Sequence, residues 1–259
     1  YLIDISALAT CYTNYGNSPL QYIVNKILPQ ETTFHTLLGN AANQFLDDCV
    51  NETDDSPARF EDSIQKAFRN NVMEYCTCPD INQDYFAKAR LQFEHIQRIV
   101  MQSFPNPSCR IDRNKAILEP SFLCEALGLQ GRMDLLQDDG KNLIELKSGK
   151  ADEYYGEYRS KESHALQMAL YKEILYYNLD ISREEVHSFL FYSVYPRLFL
   201  ERSAKVQIQR AISLRNAIVH NEQLIKQGKS EEIISQLTPD NLNEKNDTSK
   251  LWTQWQRPK

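Results

Sequence analysis

Apolar residues recur at helical spacing in four long segments of the chain. In residues 33–50 they fall three or four positions apart, a pattern that predicts an amphipathic helix. The same spacing in residues 83–104, 163–177 and 204–224 predicts three further helices. The first hundred residues are therefore expected to be mainly helical.

A shorter helix is predicted between the first two of these segments. Ser56 and Pro57 precede apolar residues at Phe60, Ile64 and Phe68. Serine is a favoured N-cap and proline is favoured at the first helical position. The sequence therefore predicts a helix with Ser56 as its N-cap.

The middle of the chain has a different pattern, with short apolar or alternating stretches between turn residues. Such stretches predict strands. An Asp139-Gly140 pair is a strong hairpin signal. The chain is thus expected to form an α/β or α+β core, with strands predicted at residues 117–119, 122–127, 131–137, 143–147, 186–195 and 198–200.

Loop signals suggest how the chain is divided. Pro105-Asn106-Pro107 separates a helical region, residues 1–106, from the predicted core, residues 107–236. The helical region is expected to pack on that core. Residues 237–259 are polar and are predicted to be a tail or linker, with Trp252 and Trp255 anchoring it to the body. The chain starts at Tyr1 without an initiator Met, so we expect either a piece of a longer protein or a processed chain.

Composition narrows the function classes only slightly. The net charge of −6 argues mildly against general coating of nucleic acid. No run of about 18 apolar residues exists, so no membrane span is expected. The chain start also lacks a signal-peptide pattern, which favours an intracellular location. Six cysteines are scattered, and Cys76-Thr77-Cys78 has no second pair at zinc-site spacing, so reduced thiols are expected.

The predicted hairpin brings three charged residues together. If Asp139 and Gly140 form the turn, Asp134 lies directly opposite Glu145, and a four-residue loop keeps the same register. Lys147 is two residues beyond Glu145, so both lie on one face of the strand. Two carboxylates and one ammonium are therefore expected to share one patch.

Directly opposed like charges are unfavourable unless something offsets them. A hard divalent cation is the natural candidate, because Mg²⁺ prefers carboxylate oxygens and water. A neighbouring lysine can then assist water in attacking a phosphodiester. A lone Glu-x-Lys on a strand is usually a solvated face, but Ile144 and Leu146 indicate a buried opposite face. The constellation therefore favours a hydrolytic site.

These residues resemble the RecB-like branch of the PD-(D/E)xK nuclease superfamily. The likeness consists of Gly131-x-x-Asp134, Glu145-x-Lys147 and Gln167-x3-Tyr171 in that order, and it covers roughly residues 117–172. It looks most like the nuclease domains of flap-processing helicase-nucleases and CRISPR-adaptation exonucleases. The resemblance implies a restriction-endonuclease-like core with a mostly antiparallel or mixed central sheet flanked by helices.

The resemblance also implies roles for individual residues. Asp134, Glu145 and the backbone carbonyl of Leu146 would bind Mg²⁺ or Mn²⁺. Lys147 would be the catalytic lysine. Gln167 and Tyr171, one helical turn apart, would line the active site and contact DNA or orient Lys147.

Two further positions are candidate ligands, and one family feature is missing. Asn43 stands where many members carry a metal-binding His in a Gly-x3-His pattern, and Glu119 is a candidate additional acid or a surface carboxylate.

Both nuclease groups often hold an iron–sulfur cluster with three Cys after the Gln-x3-Tyr helix. No Cys follows Cys124, and a cluster needs four thiolates. We expect no cluster in this chain.

The function expected is metal-dependent hydrolysis of DNA at single-stranded ends or flaps, in replication or repair, by a domain of a helicase-nuclease. Two alternatives remain: a catalytically weakened fold that binds DNA or scaffolds a helicase, and an RNA-directed nuclease. Tyr154, Tyr155 and Tyr158 lie between Lys147 and the next helix, in a loop that either stacks on bases or serves packing.

Overall fold

A computed structural model describes residues 1–12, 18–28, 32–53, 55–202 and 205–237. The predicted tail beyond residue 237, with Trp252 and Trp255, lies outside the described residues. The helices of the described part are α1 (Ile5–Thr10), α2 (Pro19–Ile27), α3 (Phe34–Val50), α4 (Phe60–Asn70), α5 (Val72–Thr77), α6 (Gln83–Arg98), α7 (Glu162–Leu179), α8 (Lys205–Lys226) and α9 (Ser230–Ile234). Its strands are β1 (Ile3–Asp4), β2 (Ala116–Leu118), β3 (Ser121–Cys124), β4 (Leu129–Arg132), β5 (Leu135–Gln137), β6 (Asn142–Lys147), β7 (Asp152–Tyr154), β8 (Glu157–Arg159), β9 (His187–Tyr192) and β10 (Leu198–Glu201).

A five-stranded mixed sheet forms the centre of the molecule. Its strand order is β10-β9-β6-β5-β2. The pair β6–β9 is parallel and the other three pairs are antiparallel. A smaller sheet, β1-β4-β3, lies beside it, and β7 and β8 form a separate two-stranded ribbon. The predicted mixed sheet flanked by helices is confirmed.

Helices cover both faces of the central sheet. Leu143 of β6 belongs to a core formed with α1, α2, α7 and α8. The alternate residues Ile144 and Leu146 belong to a second core formed with α3, α4 and α6. Because successive side chains of a strand point to opposite faces, the central strand β6 is buried on both sides. The predicted buried face opposite Glu145 is confirmed, and the face that carries Glu145 is buried as well.

The predicted long helices are confirmed as α3, α6, α7 and α8, with Thr33 as the N-cap of α3 and one π-helical turn after α6. The predicted N-cap Ser56 is wrong. Helix α4 begins at Phe60, and its N-cap Arg59 makes no side-chain capping bond. Ser56 instead pairs with Thr53 through backbone hydrogen bonds. The Ala58 N–H donates to Glu52 Oε2 at 3.1 Å, so this segment forms a turn before the helix starts.

The predicted single strand over residues 131–137 is also wrong, because the chain changes sheets within it. Strand β4 belongs to the small sheet and β5 to the central sheet, with Met133 and Asp134 between them. The segment that pairs with it, residues 116–124, also passes from the central sheet to the small sheet, between β2 and β3. Two backbone bonds tie the crossings together: the Glu119 N–H donates to Asp134 O (3.0 Å), and the Met133 N–H donates to Pro120 O (3.1 Å).

The register of the β5–β6 hairpin is the predicted one. Leu135 pairs with Ile144, and Leu136 pairs with Leu143. The connection is the four-residue loop 138–141, in which Gly140 has a φ of +71°. A left-handed conformation of this kind favours glycine.

Candidate active site

Asp134 lies at the point where the chain passes from β4 to β5. Pairing of β5 with β6 extends no further than Ile144. Beyond it, the backbone N–H of Leu146 donates to Asp134 Oδ2 at 2.6 Å. The carboxylate thus takes the place of a strand partner, which fixes it beside Glu145 and Lys147.

Glu145 is buried at the centre of the molecule, with 4% of its surface exposed. Its Oε1 accepts hydrogen bonds from Lys147 Nζ at 2.8 Å and from Gln167 Nε2 at 2.7 Å. Burial raises the pKa of Glu145, and the ammonium of Lys147 opposes that shift. Burial, followed by the negative charge of Glu145, also raises the pKa of Asp134. One lysine is therefore too little positive charge for two ionised carboxylates.

Helix α7 presents Gln167 and Tyr171 to this pair of acids. Besides Glu145, Gln167 Nε2 lies 2.9 Å from Tyr171 Oη and 3.1 Å from Ser6 Oγ. Tyr171 is buried and donates its hydroxyl to Arg132 O at 2.6 Å. These bonds tie α7 to β4 immediately before Asp134. Ser6, on α1, was missed by sequence reasoning, because no local pattern links residues 161 positions apart.

Gly131 of the Gly-x-x-Asp motif has a packing role. A Cβ at this position would lie 2.9 Å from Tyr171 Cε1 and 3.5 Å from Ile5 Cβ. The first distance is shorter than a normal carbon–carbon contact. Glycine therefore lets the Tyr171 ring lie against the strand that leads to Asp134.

The carboxylates have the character of a divalent-cation site. Glu145 Oε2 is buried and has no hydrogen-bond partner among the described residues. An unpartnered buried carboxylate oxygen is expensive, and a cation would satisfy it. In the same described part, no three His, Cys, Asp or Glu side chains cluster closely enough to hold a metal by themselves. Mg²⁺ commonly uses only one or two carboxylates, together with water and substrate phosphates, so the donor set fits this ion.

The two further candidate ligands, Asn43 and Glu119, line a neighbouring polar cavity of about 240 Å³ together with Asp47 and Arg132. Glu119 was predicted on a strand, but β2 ends at Leu118 and Glu119 has a φ of +50°. Its carboxylate pairs with Arg132 Nη1 at 3.1 Å. Burial, followed by the charge of Glu119, raises the pKa of Asp47 to about 6. Asp47, one helical turn after Asn43, is a further acid that sequence reasoning missed.

A buried polar network holds the backbone around Lys147. Ser193 donates its N–H to Lys147 O at 2.9 Å and its hydroxyl to Gln92 Oε1 at 2.8 Å. Gln92 Nε2 in turn donates to Ser148 O at 3.1 Å. Gly39 of α3 packs against the same turn, because a Cβ there would lie 3.3 Å from Ser148 Oγ. Neither Gln92 nor Ser193 stood out in the sequence.

His164 lies on α7 one helical turn before Gln167. Its Nδ1 lies 2.8 Å from Tyr192 Oη. Burial, followed by the positive charge of Lys147, lowers its pKa to about 3. The imidazole is therefore neutral near pH 7 and is packed beside the site.

None of the described helices is both long and apolar enough to cross a bilayer.

Comparison with known proteins identifies the family. The family model of the PD-(D/E)XK nuclease superfamily matches residues 5–252. No curated protein matches the chain. The crystal structure of SSO0001 aligns with 87% of this chain and 94% of its own, at 14% identity and a TM-score of 0.29, a likeness too low to support any conclusion. The family match spans nearly the whole chain and includes every residue of the site described above. This chain belongs to the PD-(D/E)XK nuclease superfamily.

Proposed function

We propose that this nuclease-superfamily chain is a Mg²⁺- or Mn²⁺-dependent deoxyribonuclease that hydrolyses phosphodiester bonds at single-stranded ends or flaps. Members of the superfamily generally use divalent metals such as Mg²⁺. The observation that carries the proposal is the buried Glu145 carboxylate, which has one oxygen bonded to Lys147 and Gln167 and the other unpartnered among the described residues.

The donor set suggests which residues would hold the cation. Asp134 and Glu145 are the proposed carboxylate ligands, and the backbone carbonyl of Leu146 is the proposed third protein ligand. Asn43 and Glu119 lie in the adjacent cavity, where they are proposed to support the site from its edge. When bound, the cation would neutralise negative charge that develops on the phosphate.

The side chains around the carboxylates have separable proposed tasks. Lys147 Nζ, held 2.8 Å from Glu145, would position the attacking water and stabilise charge as that water loses its proton. Gln167 donates to Glu145 and fixes the direction of its carboxylate. Tyr171 connects the helix to Arg132 O and so sets the distance between α7 and Asp134. Such positioning matters because misplacement by about 1 Å can lower the rate about 100-fold.

The biological setting is also part of the proposal. We place the domain in an intracellular helicase-nuclease that acts in DNA replication or repair. The motif order Gly131-x-x-Asp134, Glu145-x-Lys147 and Gln167-x3-Tyr171 supports this setting by resemblance. The net charge of −6 implies that DNA binding depends on local features of the site rather than on a general positive surface.

The test is cleavage of end-labelled single-stranded and duplex DNA with Mg²⁺ or Mn²⁺, with EDTA as a control. Lys147→Ala should abolish cleavage. Lys141→Ala is the matched control, since Lys141 precedes the same strand and is exposed, about 20 Å away at about 3.3 Å per residue. Its cleavage rate should equal that of the wild-type protein. Cleavage that survives EDTA or Lys147→Ala contradicts the proposed centre.

A second candidate function rests on Asn43. This residue stands where many superfamily relatives of the resembled branch carry a metal-binding His, and an amide is a weaker ligand than imidazole for Mn²⁺. A fold weakened in this way would bind DNA or scaffold a helicase without cutting. The same assay separates the two: binding without cleavage, unchanged by Lys147→Ala, favours the binding module. Restored cleavage in Asn43→His would show that the loss lies at this position.

A further inference from the structure

The segment between Lys147 and α7 is a two-stranded ribbon formed by β7 and β8. Tyr154 pairs with Glu157, so Tyr155 and Gly156 form a two-residue turn at the tip. Both tip residues have positive φ, +50° for Tyr155 and +79° for Gly156. Positive φ at both central positions is the requirement of a type I′ turn, which favours Asn-Gly.

The two faces of the ribbon differ. Tyr158 lies on the face that packs on the body of the protein, with its ring 4.6 Å from that of Tyr195. On the other face, the guanidinium of Arg159 lies over the ring of Tyr154, 5.5 Å from its centroid. Tyr154 is 57% exposed and Tyr155 is 91% exposed, and their rings meet edge to face at 4.5 Å. The sequence alternatives therefore divide by residue: Tyr158, 39% exposed, packs its ring against Tyr195, while the rings of Tyr154 and Tyr155 contact each other and Arg159 lies over Tyr154.

Tyr155 is unfavourable for the fold on two counts. A bulky side chain at positive φ is rare, because its Cβ crowds the backbone. An aromatic ring that is almost wholly exposed gains little from burial. Its ring contacts that of Tyr154, which is itself more than half exposed, and a strained residue with so little compensating packing indicates a role in binding.

The ribbon is rooted beside the active centre. The Lys161 N–H at its end donates to Tyr192 Oη at 3.0 Å, and Tyr192 is the β9 partner of Lys147. At the other end of the ribbon, Ala151, which precedes β7, is buried in the core. From Ala151 the tip lies four residues away, about 13 Å at about 3.3 Å per residue. Tyr155 follows Lys147 by eight residues, which span at most about 26 Å, and a stacked strand advances about 3.4 Å per nucleotide, so the tip lies within about eight nucleotides of the site.

We propose that Tyr155, supported by Tyr154, stacks on an unpaired base of the single-stranded DNA that enters the active site. The inference rests on the proposed function and adds a subsite to it. Stacking, rather than phosphate binding, follows from the charges of the ribbon. Arg159 is already paired with Glu157 at 3.2 Å, and Asp152 and Glu153 add further negative charge. Aromatic rings accept any base, so the subsite selects unpaired strands without reading sequence.

The test is equilibrium binding of a fluorescent oligothymidylate, followed by anisotropy in the Lys147→Ala protein so that no strand is cut. Stacking on one base is strong enough that Tyr155→Ala should raise the Kd about five-fold or more. Tyr155→Phe should keep the wild-type Kd, because the ring is retained. Tyr177→Ala is the matched control. Tyr177 is also exposed (49%) and lies ten residues along α7 from Gln167, about 15 Å at about 1.5 Å per residue.

Two further measurements separate stacking from other causes. An oligonucleotide of abasic sites should bind the Lys147→Ala protein equally with and without Tyr155→Ala, and a loss that persists there overturns the stacking role. Tyr155→Asn should melt at or above the wild-type temperature while it loses affinity, because Asn suits the turn. Any loss of DNA affinity in that variant is then not caused by unfolding.

The outcomes also separate this inference from the proposed function. If the wild-type protein cleaves DNA and Tyr155→Ala binds as well as Tyr177→Ala, the ribbon has no such role and the nuclease proposal stands. If the wild-type protein cleaves nothing but its binding depends on Tyr155 and on bases, the ribbon inference stands and the nuclease proposal fails.

Discussion

Replacing Gly131 by alanine tests whether the Gly-x-x-Asp motif needs its glycine for packing. The added Cβ would lie 2.9 Å from Tyr171 Cε1, whereas carbon atoms in favourable contact are about 3.5–4.0 Å apart. The ring or the strand must therefore move by about 0.6 Å or more to restore a normal contact. The ring is poorly able to move, because Tyr171 is fully buried and its hydroxyl is bonded to Arg132 O and Gln167.

The expected magnitude follows from that crowding. An extra methyl group in a well-packed core destabilises by about 1–3 kcal/mol. For a chain of this size, each kcal/mol lowers the melting temperature by about 2–4 °C, so about 2 kcal/mol corresponds to about 4–8 °C. Because the displaced strand leads directly to Asp134, we also expect a fall in the cleavage rate, up to about 100-fold for a shift near 1 Å.

Thermal melting and single-turnover cleavage of Gly131→Ala measure both effects. Gly149→Ala is the matched control, because a Cβ at Gly149 would meet nothing within 4 Å. Tyr171→Ala in the Gly131→Ala protein should remove the clash, so the two substitutions should be less than additive in melting temperature. If Gly131→Ala melts and cleaves like Gly149→Ala, close packing against Tyr171 is not the reason for the glycine.

Two further predictions concern the charges and the backbone support of the site. In EDTA, Asp134→Asn should increase the free energy of unfolding at pH 8 by at least about 1.4 kcal/mol, the equivalent of one pKa unit. The pKa of Asp134 is raised in the folded state, so the wild-type protein loses stability as pH rises above the ordinary carboxyl pKa. Urea titrations from pH 5 to 8 should show the gain shrinking toward pH 5, and a constant gain would contradict the assignment. Ser193→Ala leaves Gln92 Oε1 without its donor, and melting should show a loss of about 1–3 kcal/mol, whereas exposed Ser213→Ala should show none.

Local pattern was sufficient to predict the elements that position much of the candidate site. The periodicity of residues 33–50, 83–104 and 163–177 predicted α3, α6 and α7. Each of these helices buries apolar residues that recur at helical spacing. The Asp139-Gly140 turn predicted the β5–β6 register, because a hairpin pairs residues that are close in sequence. That register brings Asp134, the residue before β5, beside β6, where its carboxylate accepts the Leu146 N–H.

Local pattern failed where a polar side chain decided the outcome. Ser56 and Pro57 carry a helix-start signal, but Glu52 captures the Ala58 N–H and delays the helix. The strand predicted over residues 131–137 is broken at Asp134, since its carboxylate takes the Leu146 N–H. In both cases a side-chain oxygen competes for a backbone donor, and such competition depends on the folded arrangement rather than on hydropathy.

The sequence by itself determined the family motifs, the order of the main elements and the face on which Asp134, Glu145 and Lys147 meet. Only the tertiary structure decided that Glu145 is buried, that Ser6 reaches Gln167 from the far end of the chain, and that the Tyr158 ring contacts Tyr195 while Tyr155 is 91% exposed. The physical reason is that periodicity records which faces are apolar, over a few turns at most. Burial of a charge and contacts between distant segments arise when those faces close on one another, and no local pattern records them.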